Sequence, residues 1–600
     1  VTADYANSSA HLFLANSYET LRDPTRFNLR YETPWFNELL LANLLAPAGV
    51  PTLSQNISQQ EYSRFFEQDR FGLTTTTEVR SDGQYREVAS QFGTMGKLSY
   101  ALDLDWQNNK GVRPNNELRR TEWYSQFKYQ FTPQDSLMLI TKYQDYHSGD
   151  NFQYYDPNAV TLVANPFPPF NVLAKTTYRP NFTFDEYQKP IAIGAYHREW
   201  APGVHTLALG GRLINDQRLS DTSVPLFVFS RNSGGQVIGV STSDFDIGYR
   251  SELETWIGEL NQIFKTDRNT LILGGRYQSG RFETRNTLTN TTIFAAFFPG
   301  VNSVATEDMQ RWSLYGYDTW EALPGQLWLT AGVAYDVVDY PANFRQVPVS
   351  AGQASERCFG PKTALVWRPN AIATVRSAYS SSLGGVSLDE SYRLEPSQLA
   401  GFNQSYRTII PESMVGSVSA PQIDSLGAAL DLKLTAHTYI GLIGEALSSD
   451  VDRTLGIYGF SGLAVPSATP QSLRYDEYSA SLVVNQMLST EWALGAAYKY
   501  TRAELEQSLP EVPLSVIGGA GVRRTDVSGL HNAKFYALYS HASGFFARAE
   551  ADCYWQNNRA RTYNASGSAI NTTLPHDQFC QFNLWTGYRF RQTLGDISIG

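Results

Sequence analysis

The 600-residue chain is poor in the features that mark several large classes of protein. Three cysteines are too few for a scaffold built from disulfides. Charged residues make up 18% of the chain, below the roughly 25% of an average soluble protein. No run of 18 apolar residues exists, so the sequence predicts no transmembrane helix. It also has no run of lysines and arginines, and its net charge is −10, so we expect no nucleic-acid partner.

Aromatic residues and glycine are abundant instead, with 35 Tyr, 32 Phe, 12 Trp and 45 Gly. This content excludes a coiled coil and a disordered chain. The mean hydropathy is nevertheless −0.32, so polar residues are interspersed among the apolar ones. The length would allow about four ordinary domains. No linker, low-complexity tract or shift in composition divides the chain, so we expect one large structure.

One pattern repeats along most of the chain. A run of alternating apolar and polar residues is followed by a short polar turn, a second alternating run and a longer loop. The turns at Thr132–Ser136, Leu323–Gln326 and His541–Gly544 contain the residues that tight turns favour. Longer loops are predicted near 148–182, 222–244, 287–306, 341–356, 385–420, 457–471, 506–528 and 559–575. Short turns at one end and long loops at the other are typical of bacterial outer-membrane barrels.

The predicted fold is therefore all-β, a transmembrane antiparallel up-and-down β-barrel in the bacterial outer membrane. We expect about 22 strands, within a range of roughly 20 to 24, with short periplasmic turns and long extracellular loops. Residues 68–600 are assigned to the barrel, and 10–32 are predicted to add one or two strands. Residues 1–67 otherwise form an irregular segment. Its helix at Trp35–Leu45 lies in the lumen, at the periplasmic rim or on the surface of the first strands.

The alternation also predicts which side chains face lipid. At 122–131, Trp123 and Phe127 share one face, and Glu122 and Lys128 share the other. A charge facing lipid near the midplane would cost about 2–4 kcal/mol. Charged side chains on the polar faces are therefore predicted to face the lumen: Lys128, Lys142, Arg212, Glu259, Arg276, Arg376, Lys499, Arg548, Glu550, Asp552 and Arg589. Such charges need water or a partner, so we expect the lumen to be wet, plugged by polar protein, or both.

Several segments resemble the barrel region of TonB-dependent outer-membrane receptors. They are Arg311–Glu321, Gly360–Asn370 and Trp585–Phe590 with its continuation to Gly600. The resemblance implies solute uptake or passage. No stretch matches that family's plug domain. Residues 26–70 are more weakly similar to plugless barrels that follow tetratricopeptide repeats, which implies a periplasmic repeat region or partner.

Few residues suggest a specific chemistry. Cys553 and Cys580 flank one loop on predicted lipid-facing positions, where they are either a cross-strand disulfide or two small apolar residues. The histidines lack metal-ligand spacing, and no GxSxG, P-loop or HExxH motif occurs. We therefore predict no catalytic residue, metal or cofactor, and no enzyme. Phe152, Tyr154 and Tyr155 make one outer loop aromatic, for contact with a ligand or for packing on neighbouring loops.

The leading functional prediction is transport, either solute uptake like that of TonB-dependent receptors or porin-like passage through a polar lumen. Ligand recognition would lie in the outer loops. The expected partners are outer-membrane lipid, lipopolysaccharide and a solute. The alternative is a structural or assembly barrel, which anchors or exports a surface polymer or appendage together with a periplasmic repeat partner.

Overall fold

A computed structural model describes residues 2–19, 29–47, 70–80, 83–151, 160–163, 173–176, 179–292, 295–404, 419–516, 522–563, 567–574, 576–590 and 596–599. Within these ranges there are two α-helices, α1 (Ser8–Glu19) and α2 (Leu29–Leu45). No described helix is long and apolar enough to cross a membrane. Single 3-10 turns occur at Thr2–Asp4, Ala295–Phe297 and Leu388–Glu390.

Strands make up most of the remaining structure. In chain order they are β1 (Arg70–Val79), β2 (Tyr85–Met95), β3 (Leu98–Asn109), β4 (Leu118–Thr132), β5 (Asp135–Ser148), β6 (Val160–Val163), β7 (Leu173–Thr176), β8 (Thr183–Ala201), β9 (Val204–Arg231), β10 (Val237–Lys265), β11 (Asn269–Asn290), β12 (Val301–Leu323), β13 (Leu327–Asn343), β14 (Ser350–Trp367), β15 (Ala373–Leu383), β16 (Gln398–Leu399), β17 (Phe402–Asn403), β18 (Gln422–Lys433), β19 (Thr438–Phe460), β20 (Ala464–Met487), β21 (Trp492–Ser508), β22 (Arg523–Ser540), β23 (Phe545–Tyr563), β24 (Ala569–Thr573), β25 (Asp577–Arg589) and β26 (Asp596–Ile599).

One sheet, in which β24 is a short additional strand, contains the barrel wall. From β1 to β26, each wall strand pairs antiparallel with the next, and the short β24 forms a separate ladder on β23. The prediction of an all-β antiparallel barrel is confirmed. The count of about 22 wall strands stays a prediction, because the described pairings contain no ladder between β1 and β26.

The two faces of the wall differ as the alternation predicts. On β4, Trp123 and Phe127 are 43% and 40% exposed, whereas Tyr124 and Lys128 on the opposite face are buried. The exposed aromatic face is the outer surface, because the buried face contacts chain segments inside the barrel. Strands from Phe71 to Phe590 present large exposed apolar residues in the same way. This belt is the surface that a lipid bilayer would cover.

Some predicted boundaries were wrong. Residues 10–32 were expected to add strands, but α1 occupies part of them. His11, Leu14, Ala15 and Tyr18 are its buried residues, and their spacing of three, four and seven is helical. The predicted outer loops at 222–244 and 457–471 are mostly strand, because hairpins continue beyond the apolar belt. There consecutive apolar residues such as those of Leu226–Phe229 interrupt the alternation.

Two of these long hairpins meet across the outer mouth. The end of β9 pairs in parallel with the end of β19, joining Val228 to Tyr458 and Ser230 to Phe460. Phe245 of β10 stacks on Tyr458 with ring centroids 4.6 Å apart. β9 and β19 are not neighbours in the wall, so this contact, here called the outer bridge, closes the nine wall strands from β9 to β19 into a ring at the mouth.

Candidate functional site

The lumen contains two chain segments that meet inside the wall. One comprises residues 2–19 and 33–46, and the other is residues 384–404, which follow β15 from the outer side. Tyr5 donates a hydrogen bond to the carbonyl oxygen of Leu394 (2.6 Å), and Ser397 donates one to Glu38 (2.5 Å). We call these segments together the internal plug. Burial raises the pKa of the Tyr5 phenol well above its usual value, with Glu38 contributing, so Tyr5 stays a donor at neutral pH.

Side chains of the wall fix α2 in place. Lys128 donates hydrogen bonds to the carbonyl oxygens of Asn43 (2.5 Å), Leu44 (3.0 Å) and Ala46. A cation at this position binds the free carbonyl groups at the C-terminal end of the helix. Lys142 lies over the Phe36 ring, 4.2 Å from its centroid. These two predicted lumen charges therefore contact protein rather than bulk water.

A buried ionic network holds residues 384–404. Arg311 of β12 is fully buried and lies 3.0 Å from Asp336, 3.4 Å from Asp389 and 2.5 Å from Glu390. Within the plug, Arg393 forms ion pairs with Glu390 and with Glu395. The wall thus supplies a cation to an acidic plug segment.

Three more predicted lumen charges contact the same segment or its neighbours. Arg276 donates a hydrogen bond to the carbonyl oxygen of Asp389 (2.5 Å) and lies 4.0 Å from Glu259. Arg376 donates one to the carbonyl oxygen of Ala400 (3.0 Å). Buried charges are costly unless they are paired. These contacts therefore fix the position of residues 384–404 strongly.

The wall facing α1 and α2 is apolar on its inner side. Ile193 and Leu209 are almost completely buried against a core that includes Trp35 and Leu41. The inward residues of this apolar face are Met138, Ile140, Ile191, Ile193, Ala195, Leu207, Leu209, Leu213, Ile257, Ile263 and Ile272. The sequence-based expectation of a wet or polar-filled interior does not describe this side, where the contact between plug and wall is hydrophobic.

The middle of the inner face of β19–β23 differs, because Ser481, Lys499 and Asn532 there are polar and partly exposed. Towards the outer end the same face is apolar, with a buried cluster of Val451, Leu473, Tyr475 and Leu505. Lys534 contacts Glu550 (2.5 Å), which also contacts Arg548 (2.5 Å), and Asn532 donates a hydrogen bond to Asp552 (2.5 Å). Lys499 pairs with Asn532 in strand register and shares this face. Arg589 of β25 lies over Phe546 at 5.9 Å.

One of the predicted lumen charges is on the wrong face. Arg212 is the direct cross-strand partner of Trp256, which is 60% exposed on the outer surface. Its guanidinium lies 5.8 Å from that ring and 2.7 Å from Glu254. The prediction failed because it treated every strand charge as inward. A long side chain paired with a carboxylate at an aromatic belt can face outward.

The two cysteines of the last hairpin are joined. Cys553 and Cys580 are direct cross-strand partners on β23 and β25, and their Sγ atoms are bonded at 2.02 Å. Both share the outer face with Phe582 and Leu584. The third cysteine, Cys358, is free and buried. The aromatic residues predicted to contact a ligand, Phe152, Tyr154 and Tyr155, lie outside the described residues.

Sequence reasoning missed one close pair of titratable side chains. His197 on β8 and His205 on β9 are both buried, with Nε2 and Nδ1 3.0 Å apart. The sequence places His205 in a turn and gives no sign of this contact, although a short hairpin brings both strands together. The described residues contain no group of three or more His, Cys, Asp or Glu side chains arranged to hold a metal ion.

Neither a family model nor a curated protein sequence matches the chain. Solved structures do. The match to the copper transporter OprC covers 87% of this chain and 72% of the OprC chain, with 11% identity and a TM-score of 0.51. The FrpB iron transporter from Neisseria meningitidis covers 89% and 76%, with 9% identity and a TM-score of 0.54. The pyoverdine outer-membrane receptor FpvA from Pseudomonas aeruginosa PAO1 covers 87% and 72%, with 11% identity and a TM-score of 0.53.

At these identities the likeness shows a shared fold. The chain has the fold of outer-membrane β-barrel transporters and receptors. These structural neighbours are not enzymes.

Proposed function

We propose that the chain is an outer-membrane transport barrel, through whose lumen a hydrophilic solute passes after contact with the outer loops. The observation that carries the proposal is the uneven filling of the lumen. The internal plug packs against one side of the wall, whereas polar residues in the middle of the inner face of β19–β23 are partly exposed. A barrel that served only as an anchor would not need a polar inner face open to water. Three solved proteins that share the fold support the proposal, because they are a copper transporter, an iron transporter and a receptor for pyoverdine.

We further propose that residues 68–600 form the wall and that 1–67 supply the N-terminal part of the plug. We also propose a wall of about 22 strands, because single-chain bacterial barrels have even strand numbers. The described wall strands from β1 to β26, leaving aside β24, are odd in number. One more strand would complete the wall.

Solute permeation into vesicles tests the transport proposal. Purified full-length chain is reconstituted into liposomes, and the entry of neutral sugars of increasing size is followed by light scattering. Ala497 faces the lumen on β21, and Ala496 faces the opposite way. Ala497→Trp should slow permeation because the indole narrows the lumen, and Ala496→Trp is the matched control that should leave it unchanged.

The assembly barrel is the competing outcome of this experiment. Vesicles that contain folded protein but take up no sugar faster than empty vesicles would contradict solute transport. An equal effect of the two tryptophan variants would show that the sugars do not pass the inner face of β21.

A further inference from the structure

We propose that small hydrophilic solutes of either charge cross through a permanent conduit along the inner face of β19–β23, beside a plug that stays in place. This inference rests on the proposed transport function and names its route. The polar part of the lining is a set of inward side chains, here called the conduit residues: Glu445, Ser479, Ser481, Lys499, Thr501, Asn532, Lys534, Arg548, Glu550 and Asp552. Ile443, Val483, Tyr536 and Leu538 lie between them on the same face.

The size of these residues leaves room inside the wall. Ser479, Ser481 and Thr501 are small, and all three are partly exposed. The equivalent inner face across the lumen carries Ile193 and Leu209, which are buried under α1 and α2. Among the described residues, the same wall is therefore packed tightly against protein on one side and partly exposed on the other.

The plug is not built to leave. Residues 384–404 are attached to the wall through β15 and lead on towards β18. Arg311 and Arg276 hold this segment through contacts that are almost completely shielded from water. Withdrawal would separate Asp389 and Glu390 from Arg311 and break buried ion pairs, which is a large penalty. A solute that crosses the barrel would therefore pass beside the plug.

The outer bridge separates the two sides at the mouth. Its ladder joins β9 to β19, so β10–β18 lie on one side of it and β20–β26 on the other. Residues 384–404 follow β15 and belong to the first side. The inner face of β20–β23 belongs to the second. The wall topology thus places the fixed plug segment and the proposed conduit on different sides of the bridge.

The charges of the conduit indicate its solutes. Lys499, Lys534 and Arg548 are balanced by Glu445, Glu550 and Asp552, so the lining is close to neutral. Ion pairs join Lys534 and Arg548 to Glu550. Neither Lys499 nor Glu445 has an ion pair within the described ranges. Rings of one charge sign select ions in channels. This lining predicts weak selectivity.

Cysteine labelling tests whether the conduit is open. The variants are made in a Cys358→Ala background, which removes the free native thiol. Because Cys553 and Cys580 are bonded to each other, the introduced cysteine is then the reactive thiol. We expect Ser481→Cys and Thr501→Cys to react with a membrane-impermeant thiol reagent at least about tenfold faster than Ile193→Cys in the plugged face. Heat resistance of each variant on a gel identifies any that fail to fold, and the second conduit position replaces a failed one.

Charge reversal tests the same conduit by its ion selectivity. In planar bilayers the full chain should pass potassium and chloride within about twofold of each other, and Lys499→Glu should favour potassium by about threefold more. Arg502→Glu makes the same charge change on the outer face of β21, where Arg502 pairs with Glu504. It should leave the selectivity of the open channel unchanged.

The outcomes separate the route from the function. One outcome would overturn the conduit and leave the transport proposal intact. In it, the vesicles take up sugar, but Ser481→Cys and Thr501→Cys react with the thiol reagent as slowly as Ile193→Cys. Fast labelling at both conduit positions without any permeation would overturn transport and with it the conduit as a path. Both proposals would be supported by fast labelling at the two conduit positions, sugar permeation, and a change of ion selectivity in Lys499→Glu but not in Arg502→Glu.

Discussion

Two sides of the barrel wall have similar outer surfaces but different inner faces. Both β8 and β21 turn alternate residues towards lipid, yet Ile193 on the first is buried in a hydrophobic core and Lys499 on the second is partly exposed on the inner face. Lipid therefore imposes one requirement on all strands, and the contents of the lumen impose another on each strand separately. Four experiments test this difference, beginning with the largest expected effect.

Loss of the buried guanidinium should damage the plugged side most. Arg311→Met removes the cation from Asp336, Asp389 and Glu390 and should lower the free energy of unfolding by about 3–5 kcal/mol. Urea unfolding in detergent, followed by circular dichroism, measures the change. Arg502→Met removes an exposed ion pair of the open side and should cost no more than about 1 kcal/mol. Equal effects would mean that the ionic network does not hold the plug.

The disulfide should matter on the side of the wall where the described plug segments do not pack. Cys553→Ala with Cys580→Ala releases a loop whose ends are 27 residues apart. In the chain-entropy model this loop closure contributes about 3 kcal/mol. Unfolding of the double variant measures the loss, and reduction of the wild-type chain should reproduce it. If neither treatment changes the unfolding midpoint, the open side does not depend on the crosslink.

One substitution made on both sides compares the space available. Ala195 is 2% exposed beneath the plug, and Ala497 is an inward alanine on the open side. Ala195→Trp overpacks a filled core and should cost about 1–3 kcal/mol. Ala497→Trp should leave stability nearly unchanged, because the indole enters solvent. Thermal unfolding of both variants measures the difference. A larger loss of stability in Ala497→Trp than in Ala195→Trp would contradict an open conduit.

The smallest effect should come from the phenol within the plug. Tyr5→Phe removes one buried hydrogen bond to Leu394 and should cost about 1 kcal/mol. The raised pKa of Tyr5 in the folded chain means that the unfolded chain loses this proton first. The Tyr5 contribution to stability is thus complete below the usual tyrosine pKa and decreases as pH rises above it. The stability difference between wild type and Tyr5→Phe should therefore narrow at alkaline pH.

Residue pattern was sufficient for much of the wall. Trp123 and Lys128 fall on opposite faces of β4 as their alternation predicts, and the registers of β23 and β25 bring Cys553 opposite Cys580. Arg212 was misplaced because alternation gives two faces without saying which one is inside. On β9, apolar residues lie on the inner face too, so polarity does not identify the lumen there.

The filling of the lumen was beyond the reach of local pattern. The contact of Tyr5 with Leu394 and that of Arg311 with Glu390 join residues far apart in the sequence. No short-range periodicity encodes such contacts. The helical spacing of His11, Leu14, Ala15 and Tyr18 was present in the sequence, but the barrel interior that buries these residues was not.

The sequence by itself determined an antiparallel membrane barrel, because period-two alternation and the cost of charge in lipid act on each strand locally. Only the tertiary structure decided that, among the described residues, one side of the wall is covered by the internal plug and the other carries partly exposed polar side chains. That division depends on where two distant segments fold back into the barrel and on which inner faces can pair with them.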